Sequence, residues 1–106
     1  MTQAAFVPVL EAVRATGWTS IVLDLDGVVD KTAFMDRCAR ALDLPDWFGR
    51  NWDALADCLT DLSWLPVSRG WLLLVSGWQA YAAACPGEWA VAQQVFGDAE
   101  AYWGAR

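Results

Sequence analysis

Two pairs of aspartates in this 106-residue chain stand at spacings that chemistry uses. Asp24 and Asp26 close the apolar run "IVLDLDG". An Asp-x-Asp at the end of a buried strand can supply a nucleophile and an acid–base partner for a phosphoester, given a divalent ion and a separate lysine. Asp53 and Asp57 are four residues apart, which sets both carboxylates on one face of a helix. Like charges at that spacing repel mildly and gain the helix nothing. A pair kept close at a cost points to use: an anionic surface offered to a cationic partner.

The first pair lacks the company its chemistry needs. The only lysine, Lys31, lies seven residues beyond Asp24, too near to be the separate lysine of haloacid-dehalogenase-type phosphatases. Ser76, at the end of "LLLVS", only faintly echoes that family's second motif. Asp98 and Glu100 sit in a helical pattern, whereas that family's metal-binding acids follow a strand. Asp and Gly are also what turns prefer, so the expectation for Asp24 and Asp26 is an acidic turn. The phosphatase reading is carried as the enzymatic alternative.

Composition narrows the rest. Histidine is absent, which removes Ser-His-Asp, Cys-His and His-based nuclease mechanisms and the commonest metal ligand. Cys38, Cys58 and Cys85 are far apart and form no C-x-x-C pair, so buried thiols in a reducing cytoplasm are expected, with no metal and no cofactor. Thirteen acids against seven bases, a net charge of −6, argue against nucleic acid as a partner. No apolar run reaches the ~18 residues of a membrane span. The expected protein is a cytoplasmic non-enzyme.

The elements that must position Asp53 and Asp57 follow from periodicity. Phe6, Leu10 and Val13 recur at helical spacing, between Pro8 and Gly17, giving a helix over about 8–16. Residues 18–27 read as a buried strand ended by a turn. Asp30 or Thr32 caps a helix striped by Phe34, Cys38, Ala41 and Leu42. Pro45 ends it, and an aromatic loop follows. Asn51 caps a helix over about 52–62, with Leu55, Cys58, Leu59 and Leu62 inward and Asp53 in the first turn, where the dipole favours an acid. "GWLLLVSGW" is a second strand, its apolar run suited to a parallel sheet covered on both faces. A short helix over 78–84 is broken by Pro86 and Gly87. A last helix, Glu88 to Trp103, faces inward through Trp89, Ala92, Val95, Phe96 and Ala99. The order predicts one α/β domain over 1–106, with a small parallel sheet and residues 1–17 as an N-terminal helical extension. Phe48 is expected buried, Trp47 partly exposed, and Trp52, Trp64, Trp71, Trp78 and Trp89 packed.

The stretch "LPDWFGRNWDALADCLTDL", Leu44 to Leu62, resembles the barstar family of intracellular ribonuclease inhibitors. Leu44, Pro45, Asp46, Trp47, Phe48, Gly49, Asn51, Trp52, Asp53, Ala54, Leu55, Asp57, Cys58, Leu59 and Thr60 follow that family's pattern without a gap. A weaker likeness runs from Trp18 to Trp103, and the leading helix and Trp-rich ends are similar to actinobacterial members. The resemblance implies a barstar-like fold and a one-to-one complex with a secreted-type, guanyl-specific microbial ribonuclease.

Carried over by residue, Asp57 mimics the substrate phosphate and Asp53 meets donors beside it. Trp47 stands for a contact tyrosine, Gly49 lets the backbone approach closely, and Asn51 lies in the contact segment. Asp98 offers a further acid from the last helix, one carbon shorter than the family's Glu. Ala56, Asp61 and Leu62 depart from the best-known member, which implies a different ribonuclease. An immunity protein against another toxin is the alternative within the binding class. The family's third strand is expected to be missing after "YWGAR", which leaves a sheet edge open and the free-state oligomer undecided.

Overall fold

The computed structural model describes residues 11–12 and 15–105. It is an α/β fold with two parallel strands and four named helices: β1 (Thr19–Asp24), α1 (Lys31–Ala41), α2 (Trp52–Leu59), β2 (Trp71–Ser76), α3 (Gln79–Ala84) and α4 (Pro86–Gly104). Glu11, Ala12 and Ala15 are helical. Phe6, Leu10 and Val13, the apolar stripe expected of the leading helix, lie outside the described residues.

The strands pair in register from Thr19 against Trp71 to Asp24 against Ser76. Parallel strands need a long crossover, and α1, the aromatic loop and α2 supply it. Side chains alternate across a strand, so Ile21, Leu23, Trp71, Leu73 and Val75 point into the core cluster. Phe34 is its hub, stacked on Tyr81 at 5.0 Å and tilted against Trp52 at 5.3 Å. Leu25, Val28, Met35, Cys38, Leu55 and Cys58 close around it. A two-stranded sheet is marginal by itself; this one is held by helices packed on one face.

The two faces of the sheet differ among the described residues. Trp71 to Val75 are all only half-buried, and Val22, Leu72 and Leu74 lie outside the core cluster. A run of apolar residues does not distinguish one covered face from two.

The helix ends follow local chemistry. Asp30, not Thr32, caps α1, its carboxylate accepting the Ala33 N–H at 2.8 Å. Helix α2 stops at Leu59, three residues early: the Thr60 hydroxyl donates back to the Ala56 and Asp57 carbonyls, and Leu62 takes a left-handed φ of 55°. Leu62 is still buried, delivered by the turn and not by the helix. Pro86 begins α4, because a proline at the first helical position surrenders no intrahelical donor. Beyond the strands, Gly77 has a φ of 66°, and a Cβ there would stand 2.7 Å from the Asp26 nitrogen.

Candidate partner-binding surface

The aromatic loop is built from the backbone outward. Phe48 N–H donates to the Pro45 carbonyl at 2.9 Å, which turns the chain and buries the Phe48 ring. Trp47 is thrown the other way and is 68% exposed, the most exposed aromatic among the described residues. It stands edge-on to Trp64, centroids 6.4 Å apart at 87°. Trp64 is itself fixed, its indole N–H donating to the Leu42 carbonyl at 3.0 Å. Trp47 is therefore an exposed anchor with a braced base, the kind of rigid aromatic that dominates interfaces.

Two residues convert the loop into a helix. Arg50 adopts a φ of 54° and forms an ion pair with Asp36 of α1. That pair ties the loop to the core layer. Asn51 then takes extended backbone angles and caps α2, its Oδ1 accepting the Ala54 N–H at 2.8 Å while its Nδ2 donates to the Gly49 carbonyl at 3.3 Å. A side chain at Gly49 would meet that Nδ2 at 3.1 Å, so Gly49 protects the cap as well as leaving the backbone bare.

Helix α2 has eight residues, too few to be stable alone. It is held at both ends by α4. At its start the Trp52 indole N–H donates to Glu88 Oε2 at 2.7 Å; at its end the Leu59 carbonyl accepts the Trp103 indole N–H at 2.7 Å. Leu55, Cys58 and Leu59 face the core, Ala56 is partly buried, and Asp53 and Asp57 are exposed.

The charges on α2 run partly against its dipole. Asp53 sits in the first turn, where an acid is favoured, but Asp57 and Asp61 flank the other end and no base stands in the last turn. Each such misplacement costs about 0.3–1 kcal/mol. The crowding is felt inside: burial first, then the charges of Asp57 and Asp61, pushes the Cys58 thiol pKa up. The arrangement is poor for the helix and good for meeting a cationic surface.

The structure thus gathers Trp47, Gly49, Asn51, Asp53, Ala56 and Asp57 on one continuous loop–helix. Asp61 is exposed just past its end. Asp98 is exposed on α4, where it accepts the Gln94 amide N–H at 3.0 Å, a bond within its own helix. Sequence reasoning gave no role at the site to Asp36, Arg50, Trp64 or Glu88. Their partners are 14 to 36 residues away, so no local spacing announces them.

At the other candidate site, the Asp24 carboxylate accepts the Asp26 N–H at 2.9 Å and the Asp24 carbonyl accepts from Arg37 at 2.8 Å. The first carboxylate therefore shapes the turn after β1. Among the described residues no group of three Cys, Asp or Glu side chains is placed to hold a metal. No described helix is long and apolar enough to cross a membrane.

Comparison with protein-family models matches residues 18–106 to Barstar (barnase inhibitor). Comparisons with curated proteins and with solved structures found no match.

Proposed function

The chain belongs to the barstar family, and from that premise we propose that it inhibits a guanyl-specific microbial ribonuclease, one inhibitor to one enzyme, by seating the loop–helix from Trp47 to Asp57 in the active site. The observation that carries this reading is the α2 face itself: two exposed carboxylates, at a cost to the helix, on a segment fixed at both ends.

A ribonuclease site is a positive concavity built for phosphate. Asp57 enters it as the phosphate's stand-in, with Asp53 engaging donors alongside. One carboxylate–cation pair at about 4 Å gains on the order of 4 kcal/mol at an effective dielectric near 20, before desolvation. Because α2 is already ordered, little conformational entropy is lost on docking. Trp47 packs on the enzyme's rim. Asn51 holds the contact segment in shape, and Asp61 and Asp98 add negative potential that speeds encounter. Ala56 leaves the middle of the face low, which suits a partner whose rim rises there. The role is protection of the producing cell, in its cytoplasm, from its own nuclease before export.

The test is calorimetric titration into a panel of guanyl-specific ribonucleases at low and moderate salt, with RNA cleavage read in parallel. Expected is one-to-one binding that weakens with salt and abolishes cleavage. Asp57→Ala, with its circular dichroism unchanged, should cost at least a hundredfold in affinity. Full inhibition by Asp57→Ala would refute the assignment of that residue. Absence of binding across the panel, with binding to another basic toxin, would favour the immunity-protein reading.

A further inference from the structure

The ladder between the strands leaves one side of β2 bare. Thr19 N–H donates to the Gly70 carbonyl at 2.9 Å, and Leu25 N–H to the Ser76 carbonyl at 2.8 Å. In a parallel pair, alternate residues of each strand bond the neighbour. β2 therefore spends the N–H and C=O of Leu72 and Leu74 on β1 and turns those of Trp71, Leu73 and Val75 outward. Among the described residues nothing donates to or accepts from these outward groups. We propose that this edge pairs antiparallel with the same edge of a second copy, about a two-fold axis through Leu73, to give a four-stranded sheet.

The edge is unguarded where natural edges are protected. Charged side chains, prolines and bulges are the usual defences. "WLLLVS" has no charge and no proline, and its register on β1 runs without a bulge. The outer edge of β1 differs: its Asp24 carbonyl already accepts from the Arg37 guanidinium at 2.8 Å. Burial marks the same side. Leu23, facing the core from β1, is fully buried, whereas Trp71, Leu73 and Val75, facing it from β2, are only half-buried.

The edge is also its own complement. A two-fold axis makes the same patch serve on both copies. With Leu73 opposite Leu73 of the second copy, Trp71 falls opposite Val75, and every outward N–H and C=O of the three residues finds a partner. Between them Leu72 falls opposite Leu74 of the second copy, in the closer, non-hydrogen-bonded kind of pair. Leu72 and Leu74 lie outside the core cluster, so the apolar row they form with Val22 becomes one strip across four strands. The helices of both copies stay on one side of the sheet.

Charge matches at the ends. Arg69 is exposed and forms no ion pair among the described residues. This register sets it opposite Gly77 of the second copy. Gly77 sits on the acidic turn, where a Cβ on it would lie 2.7 Å from the Asp26 nitrogen and 3.1 Å from Asp24 Oδ1. That turn is two strand spacings from Arg69, roughly 10 Å between backbones, which an arginine can span. The net charge of −6 on each copy opposes association in general, but it is screened beyond about 8 Å at physiological ionic strength. The pairing is short, so the dimer is weak and forms at high micromolar concentration. It uses none of the residues from Trp47 to Asp57.

The test is sedimentation of the full chain over a concentration series, with hydrogen exchange at low and high protein concentration. A reversible monomer–dimer equilibrium is expected. Amides of Trp71, Leu73 and Val75 should gain protection as the dimer forms, whereas those of Leu72 and Leu74 should be protected throughout. Leu74→Lys should raise the dimer dissociation constant about tenfold or more. Adding Leu72→Glu to it sets each Glu opposite a Lys of the other copy and should restore pairing. A parent that stays monomeric at millimolar concentration would overturn the proposal, as would a dimer in which the Leu73 amide gains no protection. Protection of that amide in a monomeric parent, on adding ribonuclease alone, would also overturn it and assign the edge to the enzyme.

Discussion

Asn51 is the residue on which the candidate site should fail most legibly. Its side chain makes two bonds in opposite directions, one into α2 and one back into the aromatic loop. Asn51→Ala removes both. Loss of an N-cap costs typically about 1 kcal/mol, within a range of roughly 0.5–2. The bond to Gly49 is long and exposed, and adds about 0.5 kcal/mol at the low end of a neutral hydrogen bond. Asn51 is on the surface, so no cavity term enters. The expected loss is about 1.5 kcal/mol, or roughly 1 M in the urea midpoint at a slope near 1.5 kcal/mol/M. Asn51→Asp separates the two bonds. It keeps the capping oxygen at the positive end of the helix and gives up the donor to Gly49. It should recover most of the stability while still binding the ribonuclease more weakly than the parent, because the loop must then be ordered on docking. Urea unfolding gives the first quantity and calorimetry the second. Asn51→Asp as unstable as Asn51→Ala, or Asn51→Ala with an unmoved midpoint, would refute the capping account.

Other perturbations test other parts of the frame. Gly77→Ala forces a Cβ into a left-handed residue against the Asp26 backbone and should cost more than about 2 kcal/mol by thermal melting. Gly87→Ala, in open space in the first turn of α4, should be neutral or slightly stabilising. Trp64→Phe gives up the bond to the Leu42 carbonyl, about 1 kcal/mol. It should weaken ribonuclease binding only where Trp47 is present, as a cycle with Trp47→Ala would show. Burial pushes Cys38 up from 9.0 to about 12, and burial, then the charge of Glu88, pushes Tyr81 up from 10.0 to about 12. In both cases the unfolded chain ionises first. Their contribution to stability is therefore complete below pH 9 and falls as pH rises towards 12, and a pH series of urea midpoints should show the decline. Tyr81→Phe removes a buried hydroxyl without a protein partner. It should flatten that decline with little loss at neutral pH.

The elements were legible where local rules decide them. Asp30 and Asn51 each offer a short polar side chain before an apolar stripe, and both cap. The inward faces of α1, α2 and α4 follow from spacing alone. So does the contrast between buried Phe48 and exposed Trp47, because the loop between Pro45 and Asn51 is too short to hide two large rings. Periodicity could not say whether one or two faces of β2 are covered, since an apolar run satisfies either. Nor could it find the early end of α2, which depends on a threonine bonding back to its own helix. At the candidate site the acids were visible and their supports were not. Glu88 and Trp103 act on α2 from another helix, and Asp36 reaches Arg50 across 14 residues. Such pairs are products of the fold and leave no local trace.

The grip of α4 on α2 has an evolutionary side. Both hydrogen bonds fall at the ends of the short helix and use Trp52 and a backbone carbonyl. Neither draws on the residues that look outward. Positions 53 and 57, both exposed, can therefore be rewritten without disturbing the mounting that holds them. Directed libraries confined to those two positions should change what the surface binds while folding stays constant.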